Sequence, residues 1–167
     1  MSDRPKTGSA RDTEAPPDRP RPEALRWVRI DRHLDASPER VYRAWTDPTE
    51  MMTWFPLRIA GSLAVGTRSE LIWAKERTWI DVQAAEPNRL FVFRWPWLAD
   101  DSYVTTVTVT IRSVGVGTRI RLEDGPFDID QPGVIEAFEE ALAGWVEAIA
   151  QLRAQIDFFV DLRSGDR

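Results

Sequence analysis

The alternation of apolar and polar residues changes its period along the chain, and each change predicts an element. From Leu25 to Asp35 the period is two, which is typical of a strand. The segment ASPERVYRAWTDPTEMMTWFP then predicts two short helices. Ser37 and Asp47 are suitable N-caps, because their side-chain oxygens accept from free N–H groups of a first turn. A proline follows each of them at the favoured first helical position.

Short stretches of turn residues separate six further strand candidates. In the longest of them, valine and isoleucine alternate with threonine, which favours a sheet with one buried face. Because the connections are short, antiparallel neighbours are favoured over crossover helices. The candidates are 57–60, 67–74, 78–85, 90–95, 103–114 and 118–124.

The last element is predicted to be one long helix that begins after Pro132. Apolar residues recur there at spacings of four and three over about 25 residues, roughly 35 Å of helix. Gly144 lies mid-helix, where glycine costs about 1 kcal/mol relative to alanine. We expect it to allow close approach of the helix to the sheet. The predicted buried stripe is Phe138, Leu142, Trp145, Ile149, Leu152 and Ile156.

These elements predict one α+β domain at residues 25–160, with a long C-terminal helix across a curved antiparallel sheet. Residues 1–24 are rich in proline and too poor in large apolar residues to offset the entropy of ordering, so we predict a disordered tail. A short polar tail is predicted at 161–167. The space between such a sheet and its helix is a common form of ligand pocket.

Composition removes several classes of function. The chain has 167 residues, a net charge of −5, one histidine and no cysteine. Disulfides and thiolate metal sites are therefore excluded, and a nucleic-acid partner is disfavoured by the charge. No apolar run approaches the ~20 residues of a membrane helix, and no signal peptide is visible, so we expect a cytoplasmic protein without a membrane span.

The residues that could carry chemistry are few. His33 is predicted to point to solvent, and a lone imidazole cannot build a zinc site. Because Ser–His and Cys–His pairs are absent, we expect no catalytic residue, no metal and no cofactor. A reaction driven by a carboxylate stays open for Glu70, Asp81 or Asp124, since no spacing selects one of them.

The candidates for ligand binding are mostly aromatic. Tryptophan combines a large apolar body with one N–H donor, which suits a cavity wall, although the same residues also serve as core filler. Trp54 and Phe55 are expected to gate one mouth of the cavity. The aromatic candidates are Trp54, Phe55, Trp73, Trp95, Tyr103, Phe138 and Trp145.

Two charged residues complete the predicted site. Arg32 shares the strand face of Ile30, and an inward charge needs a partner. We expect Arg32 either to form an ion pair with Asp124 or Glu70, or to receive the carboxylate or phenolate of a ligand. Asp124 is the second charged candidate for ligand binding.

Five motifs in order carry a family resemblance: ASPERVYRAWTDP, WFP, PNRLFVFRW, TVTVTI followed by GTRIRLED, and GW in the last helix. Over residues 27–155 the chain resembles the START-like SRPBCC superfamily, and within it the group of the C-terminal domain of the activator of heat-shock-protein ATPase. The resemblance implies a helix-grip fold, in which a curved antiparallel sheet of about six to seven strands wraps around a long C-terminal helix. A cavity lies between the sheet and the helix in this fold. Many relatives carry L-x-H-x-G-F near the end of the last strand, where Asp124 here replaces the histidine.

Three functions follow as hypotheses, because this superfamily includes lipid carriers, hormone receptors, polyketide cyclases and co-chaperones. The leading one is non-enzymatic binding of a hydrophobic or aromatic small molecule between sheet and helix, by a monomer or homodimer. The second, implied by the resemblance alone, is regulation of a heat-shock ATPase. The third is a cyclase or hydrolase that uses Arg32 and Asp124.

Overall fold

The structure, a computed structural model, describes residues 19–165. Short 3-10 helices at Pro22–Ala24 and Leu162–Gly165 flank the main elements. Those elements are β1 (Leu25–Leu34), α1 (Pro38–Thr46), α2 (Pro48–Met51), β2 (Arg58–Ala60), β3 (Arg68–Ile72), β4 (Arg77–Glu86), β5 (Leu90–Trp97), β6 (Tyr103–Val114), β7 (Gly117–Asp128) and α3 (Val134–Phe158).

The seven strands form a single antiparallel sheet in the order β1-β7-β6-β5-β4-β3-β2. Strands β2 to β7 run as a meander, and β1 joins the sheet beside β7. The α+β class, the antiparallel sheet, the two short helices after the first strand and the long C-terminal helix are confirmed. The sheet has one face toward α3, called the inner face here, and one outer face that carries the polar residues.

The caps of the two short helices form as predicted. Ser37 accepts a hydrogen bond from the backbone N–H of Arg40 at 3.2 Å. Asp47 accepts from the N–H groups of Thr49 and Glu50 at 2.9 and 3.2 Å. The capped helix α1 buries Val41, Ala44 and Trp45 against the sheet side of the molecule.

Helix α3 has the predicted length, and its predicted stripe is buried at Trp145, Ile149, Leu152 and Ile156 but departs from the prediction in the first turns. Trp145 is buried, whereas Leu142 is 42 % exposed, so the prediction for Leu142 is wrong. Ala137 and Ala141 take the buried positions, one residue before Phe138 and Leu142 and about 100° away around the helix. Alanine faces the sheet because its small side chain lets the helix approach closely.

The expectation for Gly144 is also wrong. The residue is exposed, and a Cβ added to it would meet no atom within 4 Å. Its missing side chain therefore serves no packing inside the described part of the chain.

Both predicted tails contain ordered residues. Residues 1–18 lie outside the described residues. Ala24 is buried, and Arg21 forms two hydrogen bonds of 2.8 Å with Asp130, so the fold begins before residue 25. At the other end, Arg163 donates to the carbonyl oxygens of Thr53 and Pro56 at 2.9 and 3.3 Å. This C-terminal segment is thereby fastened to the connection between α2 and β2.

Replacing Gly144 by alanine is expected to raise the free energy of unfolding by about 1 kcal/mol, because the helix gains propensity and nothing obstructs the methyl group. Gly125→Ala is the contrasting variant, since its Cβ would lie 2.5 Å from Trp27 Cδ1 and 3.0 Å from the carbonyl oxygen of Arg26. That variant should be destabilised. Urea unfolding of both variants measures the two effects, and a loss of stability in Gly144→Ala would show that the residue has a packing role.

Candidate functional site

A buried carboxylate lies where α3 crosses the inner face of the sheet. Asp124 of β7 has no exposed surface. One of its oxygens, Oδ1, accepts from the hydroxyl of Thr105 at 2.5 Å. The other, Oδ2, accepts from the indole N–H groups of Trp145 and Trp95 at 2.9 and 3.2 Å. Asp124 therefore joins β5, β6, β7 and α3 through side chains alone.

The strand registers bring these groups together. Trp95 on β5 lies opposite Thr105 on β6, and Asp124 lies opposite Val107, two residues further along β6. Because side chains alternate between faces, all of them share the inner face. Trp97 extends the network by donating its indole N–H to the Thr105 hydroxyl at 2.9 Å. Thr105 thus accepts one hydrogen bond and donates the next.

Burial controls the charge of this carboxyl. It raises the pKa of Asp124 from 3.8 to about 6, against the three hydrogen bonds, which favour the ionised form and lower the pKa. Within residues 19–165, no arginine, lysine or histidine forms an ion pair with Asp124. The carboxyl is consequently poised to change its protonation near neutral pH.

Five aromatic rings pack against one another between the sheet and α3, where the sequence predicted a cavity. The ring of Phe55 lies at their centre, with centroids of Trp54, Trp73 and Trp145 at 5.1, 5.2 and 5.3 Å. Trp95 is 6.2 Å from Phe55 and 5.0 Å from Trp145. We call these five residues the aromatic cluster. In this conformation the chain occupies its own predicted binding space.

The predicted gate is closed by packing and hydrogen bonds. Trp54 is 1 % exposed and Phe55 is 7 % exposed, so neither lies at an open mouth. The indole N–H of Trp54 donates to the carbonyl oxygen of Ala44 at 2.9 Å, and that of Trp73 donates to the carbonyl oxygen of Phe55 at 2.9 Å. These bonds hold the connection after α2 against the interior.

Two further candidates lie apart from the aromatic cluster. The Tyr103 hydroxyl donates to the carbonyl oxygen of Pro126 at 2.8 Å and accepts from the N–H of Asp128 at 2.7 Å. Burial raises the pKa of Tyr103. The rings of Tyr103 and Phe138 flank Phe127, at 6.2 and 5.6 Å. They form a second aromatic group near the end of β7.

The inward placement predicted for Arg32 is wrong. Its side chain is exposed and donates to the carbonyl oxygen of Asp31 at 3.1 Å. Since β1 is an edge strand, a long side chain on its inner face can bend around the edge into water. Neither expected ion pair forms: Glu70 bonds instead to Arg77 at 3.2 Å. The structure does not bring Arg32 and Asp124 together.

Sequence reasoning missed two polar groups of the site. Thr105 interrupts the apolar inner face of β6, which was the available signal for a buried hydrogen bond. Trp45 is fully buried beside the aromatic cluster, 4.7 Å from Trp54 and 6.1 Å from Trp145 between ring centroids. Its Nε1 has no hydrogen-bond partner among residues 19–165, and nothing in the sequence indicated this.

The outer face of the sheet carries two depressions. One of about 470 Å³ is bordered by Arg68, Trp79 and Asp101, and one of about 420 Å³ by Arg112 and Arg119. Among residues 19–165 no three histidine or acidic side chains are grouped to hold a metal ion. No helix of that range is long and apolar enough to cross a membrane.

Known proteins share this architecture. A family described as "Activator of Hsp90 ATPase homolog 1-like protein" matches residues 35–157. Protein MLL2253 from Mesorhizobium loti is 26% identical with a TM-score of 0.71, over 79% of this chain and 97% of that chain. No curated protein matches.

Two more distant solved structures show the same fold. DynU16, from the dynemicin biosynthetic locus, is 22% identical with a TM-score of 0.69, over 81% of this chain and 48% of its own. The Aha1 dimer from Colwellia psychrerythraea is 16% identical with a TM-score of 0.68, over 79% of this chain and 96% of that chain. At these identities the likeness establishes the fold and nothing finer.

The raised pKa of Asp124 predicts how stability depends on pH. Because the folded state binds this proton more tightly than the unfolded state, the contribution is fully present below about pH 4 and is lost as pH rises through about 6. Two pKa units correspond to about 3 kcal/mol. The free energy of unfolding of the wild type, relative to Asp124→Asn, should fall by that amount between pH 4 and pH 7.

Asp130→Asn is the control for this measurement. Its hydrogen bond to Arg21 lowers the pKa of Asp130, so its contribution is lost only at pH below the ordinary range of the group. The difference between wild type and Asp130→Asn should be flat from pH 4 to pH 7 in urea unfolding. A flat difference for Asp124→Asn as well would show that Asp124 titrates normally.

Proposed function

The chain belongs to the family of Activator of Hsp90 ATPase homolog 1-like proteins, and we propose that within this fold it binds an aromatic small molecule at the aromatic cluster. The ligand takes the place of the Phe55 ring, and Asp124 accepts a hydrogen bond from it. The observation that carries the proposal is the carboxylate of Asp124 beside that cluster, which has no exposed surface and no cationic partner within the described residues 19–165.

A carboxylate is a costly way to hold a core together. Burying it without a cation carries a penalty of several kcal/mol, which a neutral residue would avoid. Groups with strongly shifted pKa values concentrate at functional sites, where their chemistry compensates for this penalty. The position of Asp124 therefore favours recognition over a purely structural role.

The hydrogen bonds of Asp124 define which ligand group it recognises. A carboxylate accepts about four hydrogen bonds, and three are present, two at Oδ2 and one at Oδ1. The open position at Oδ1 suits a hydroxyl or amine of the ligand. The unpartnered indole N–H of Trp45 supplies a donor close to the same rings. An aromatic ligand that carries both a donor for Asp124 and an acceptor for the Trp45 N–H would match both features.

Phe55 is the residue that a ligand would displace. It lies in the short connection between α2 and β2, and its ring stacks on Trp145 at 5.3 Å with an interplanar angle of 21°. A flat ligand ring in the same position would recover these stacking contacts. The conformation in which the Phe55 ring packs in the interior then corresponds to the protein without a ligand.

Neither alternative hypothesis gains support at this site. A reaction that uses Arg32 together with Asp124 lacks the necessary proximity, because Arg32 lies four residues along β1 from Val28, the residue opposite Asp124. Regulation of a heat-shock ATPase rests on the family alone. Binding is therefore the function proposed here.

A matched pair of probes tests the role of Asp124. 1-Naphthol carries a hydroxyl donor, whereas 1-methoxynaphthalene has nearly the same ring and no donor. Since a hydrogen bond to a charged acceptor contributes about 1.5–3 kcal/mol, naphthol should bind the wild type at least about tenfold more tightly. Nuclear magnetic resonance of the indole N–H groups gives both affinity and location, with shifts expected at Trp95 and Trp145.

Phe55→Ala tests the displacement of the ring. Removing the competing side chain should raise the affinity for naphthol several-fold, whereas Phe158→Ala, which truncates an aromatic that is 56 % exposed, should leave it unchanged. The proposal fails if the two probes bind equally, if the shifts occur away from Trp95 and Trp145, or if Phe55→Ala shows no saturable binding.

A further inference from the structure

The outer face of β1, β7 and β6 carries rows of charged side chains that lie directly opposite one another. In one row Arg29 is opposite Glu123, and the two form an ion pair of 3.1 Å. In the next row Asp31 is opposite Arg121, with their charged atoms 3.8 Å apart. Each of these rows pairs one arginine with one carboxylate, so its charge is balanced.

The third row is not balanced. It consists of His33 on β1, Arg119 on β7 and Arg112 on β6, and we call it the basic row. Arg119 forms an ion pair of 3.2 Å with Asp31 of the neighbouring row, and His33 lies 3.6 Å from Asp35. Arg112 forms no ion pair with any carboxylate of residues 19–165.

The basic row is unfavourable for the sheet by itself. Arg112 and Arg119 are directly opposite on neighbouring strands, and like charges in that position destabilise a sheet. An anion held between them would remove the repulsion. The pairing register therefore creates a place where an external negative charge stabilises the fold.

The shape and charge of the surface around Arg112 and Arg119 are suited to a bound anion. Arg112 and Arg119 of the basic row border the depression of about 420 Å³, whose lining is completed by Arg121, Thr110, Asp31 and Glu123. Four arginines face two carboxylates across the three rows, although the whole chain has a net charge of −5. Guanidinium groups bind phosphate oxygens through two parallel N–H bonds, and Thr110 adds a hydroxyl at the rim.

We propose that the basic row and its depression bind a phosphate group, as carried by a phosphomonoester. Arg112 and Arg119 hold the phosphate oxygens, and Arg121 contributes from the neighbouring row. This site lies on the opposite face of the sheet from Asp124, so it is independent of the interior binding proposed above.

Titration with inorganic phosphate at constant ionic strength tests the site. The arginine Nε–H signals of Arg112 and Arg119 should shift saturably in nuclear magnetic resonance spectra of the full chain. Arg112→Gln should weaken the binding about tenfold, since it removes one charged hydrogen-bond donor pair. Arg77→Gln is the matched control, because Arg77 is an exposed arginine elsewhere on the outer face, and it should leave the affinity unchanged.

The stability of the variant gives a second readout. Arg112→Gln removes a repulsion, so it should fold, and phosphate should raise the melting temperature of the wild type more than that of the variant. A peptide containing phosphoserine separates the sources of the phosphate: equal affinity for peptide and free ion supports a small-molecule ligand at this site, and tighter peptide binding supports a phosphorylated protein. Shifts that chloride reproduces at equal ionic strength, or an equal effect of phosphate on Arg112→Gln, would overturn the proposal.

Discussion

The hydrogen bonds of one buried carboxylate hold the layers of this fold together. Asp124 receives donors from a helix and from two strands, so the height and rotation of α3 over the sheet are tied to the positions of Trp95, Trp145 and Thr105. Without the carboxylate, two indole N–H groups and the O–H of Thr105 would be buried without an acceptor, each at a cost of about 1–3 kcal/mol. The rest of the interior is packed within this constraint.

The same carboxylate links stability to the recognition proposed above. Three donors favour its charged form, burial opposes it more strongly, and the pKa of about 6 records that balance. A neutral apolar residue at position 124 would avoid the burial penalty, but the donors of Trp95, Trp145 and Thr105 would lose their acceptor. The ring of Phe55 plays a corresponding part in packing, because it supplies the aromatic contacts that a ligand of similar shape would replace. The closed packing and the proposed binding would thus use the same side-chain surfaces.

Sequence reasoning succeeded where local chemistry decides the structure. Caps at Ser37 and Asp47, alternation along β6 and the length of α3 all depend on neighbours a few residues apart. It failed where distances between elements decide. Leu142 is exposed because Ala137 and Ala141 take the buried positions in the first turns of α3. The alternation of residues along a strand predicts which face a side chain occupies, but it does not predict the separation of the sheet and the helix. The partners of Asp124 come from distant segments, which no local pattern relates.

The two faces of the sheet obey different electrostatic rules, and this separates the two proposed sites. On the inner face water is excluded, so an open position on Asp124 is energetically important and is little affected by dissolved salt. On the outer face the charges of Arg112 and Arg119 are in water, where ions screen them over about 8 Å at physiological ionic strength. Binding of an anion at the basic row must therefore weaken as salt rises, whereas binding of an aromatic donor beside Asp124 must not. Salt dependence alone distinguishes which face of the sheet a given ligand occupies.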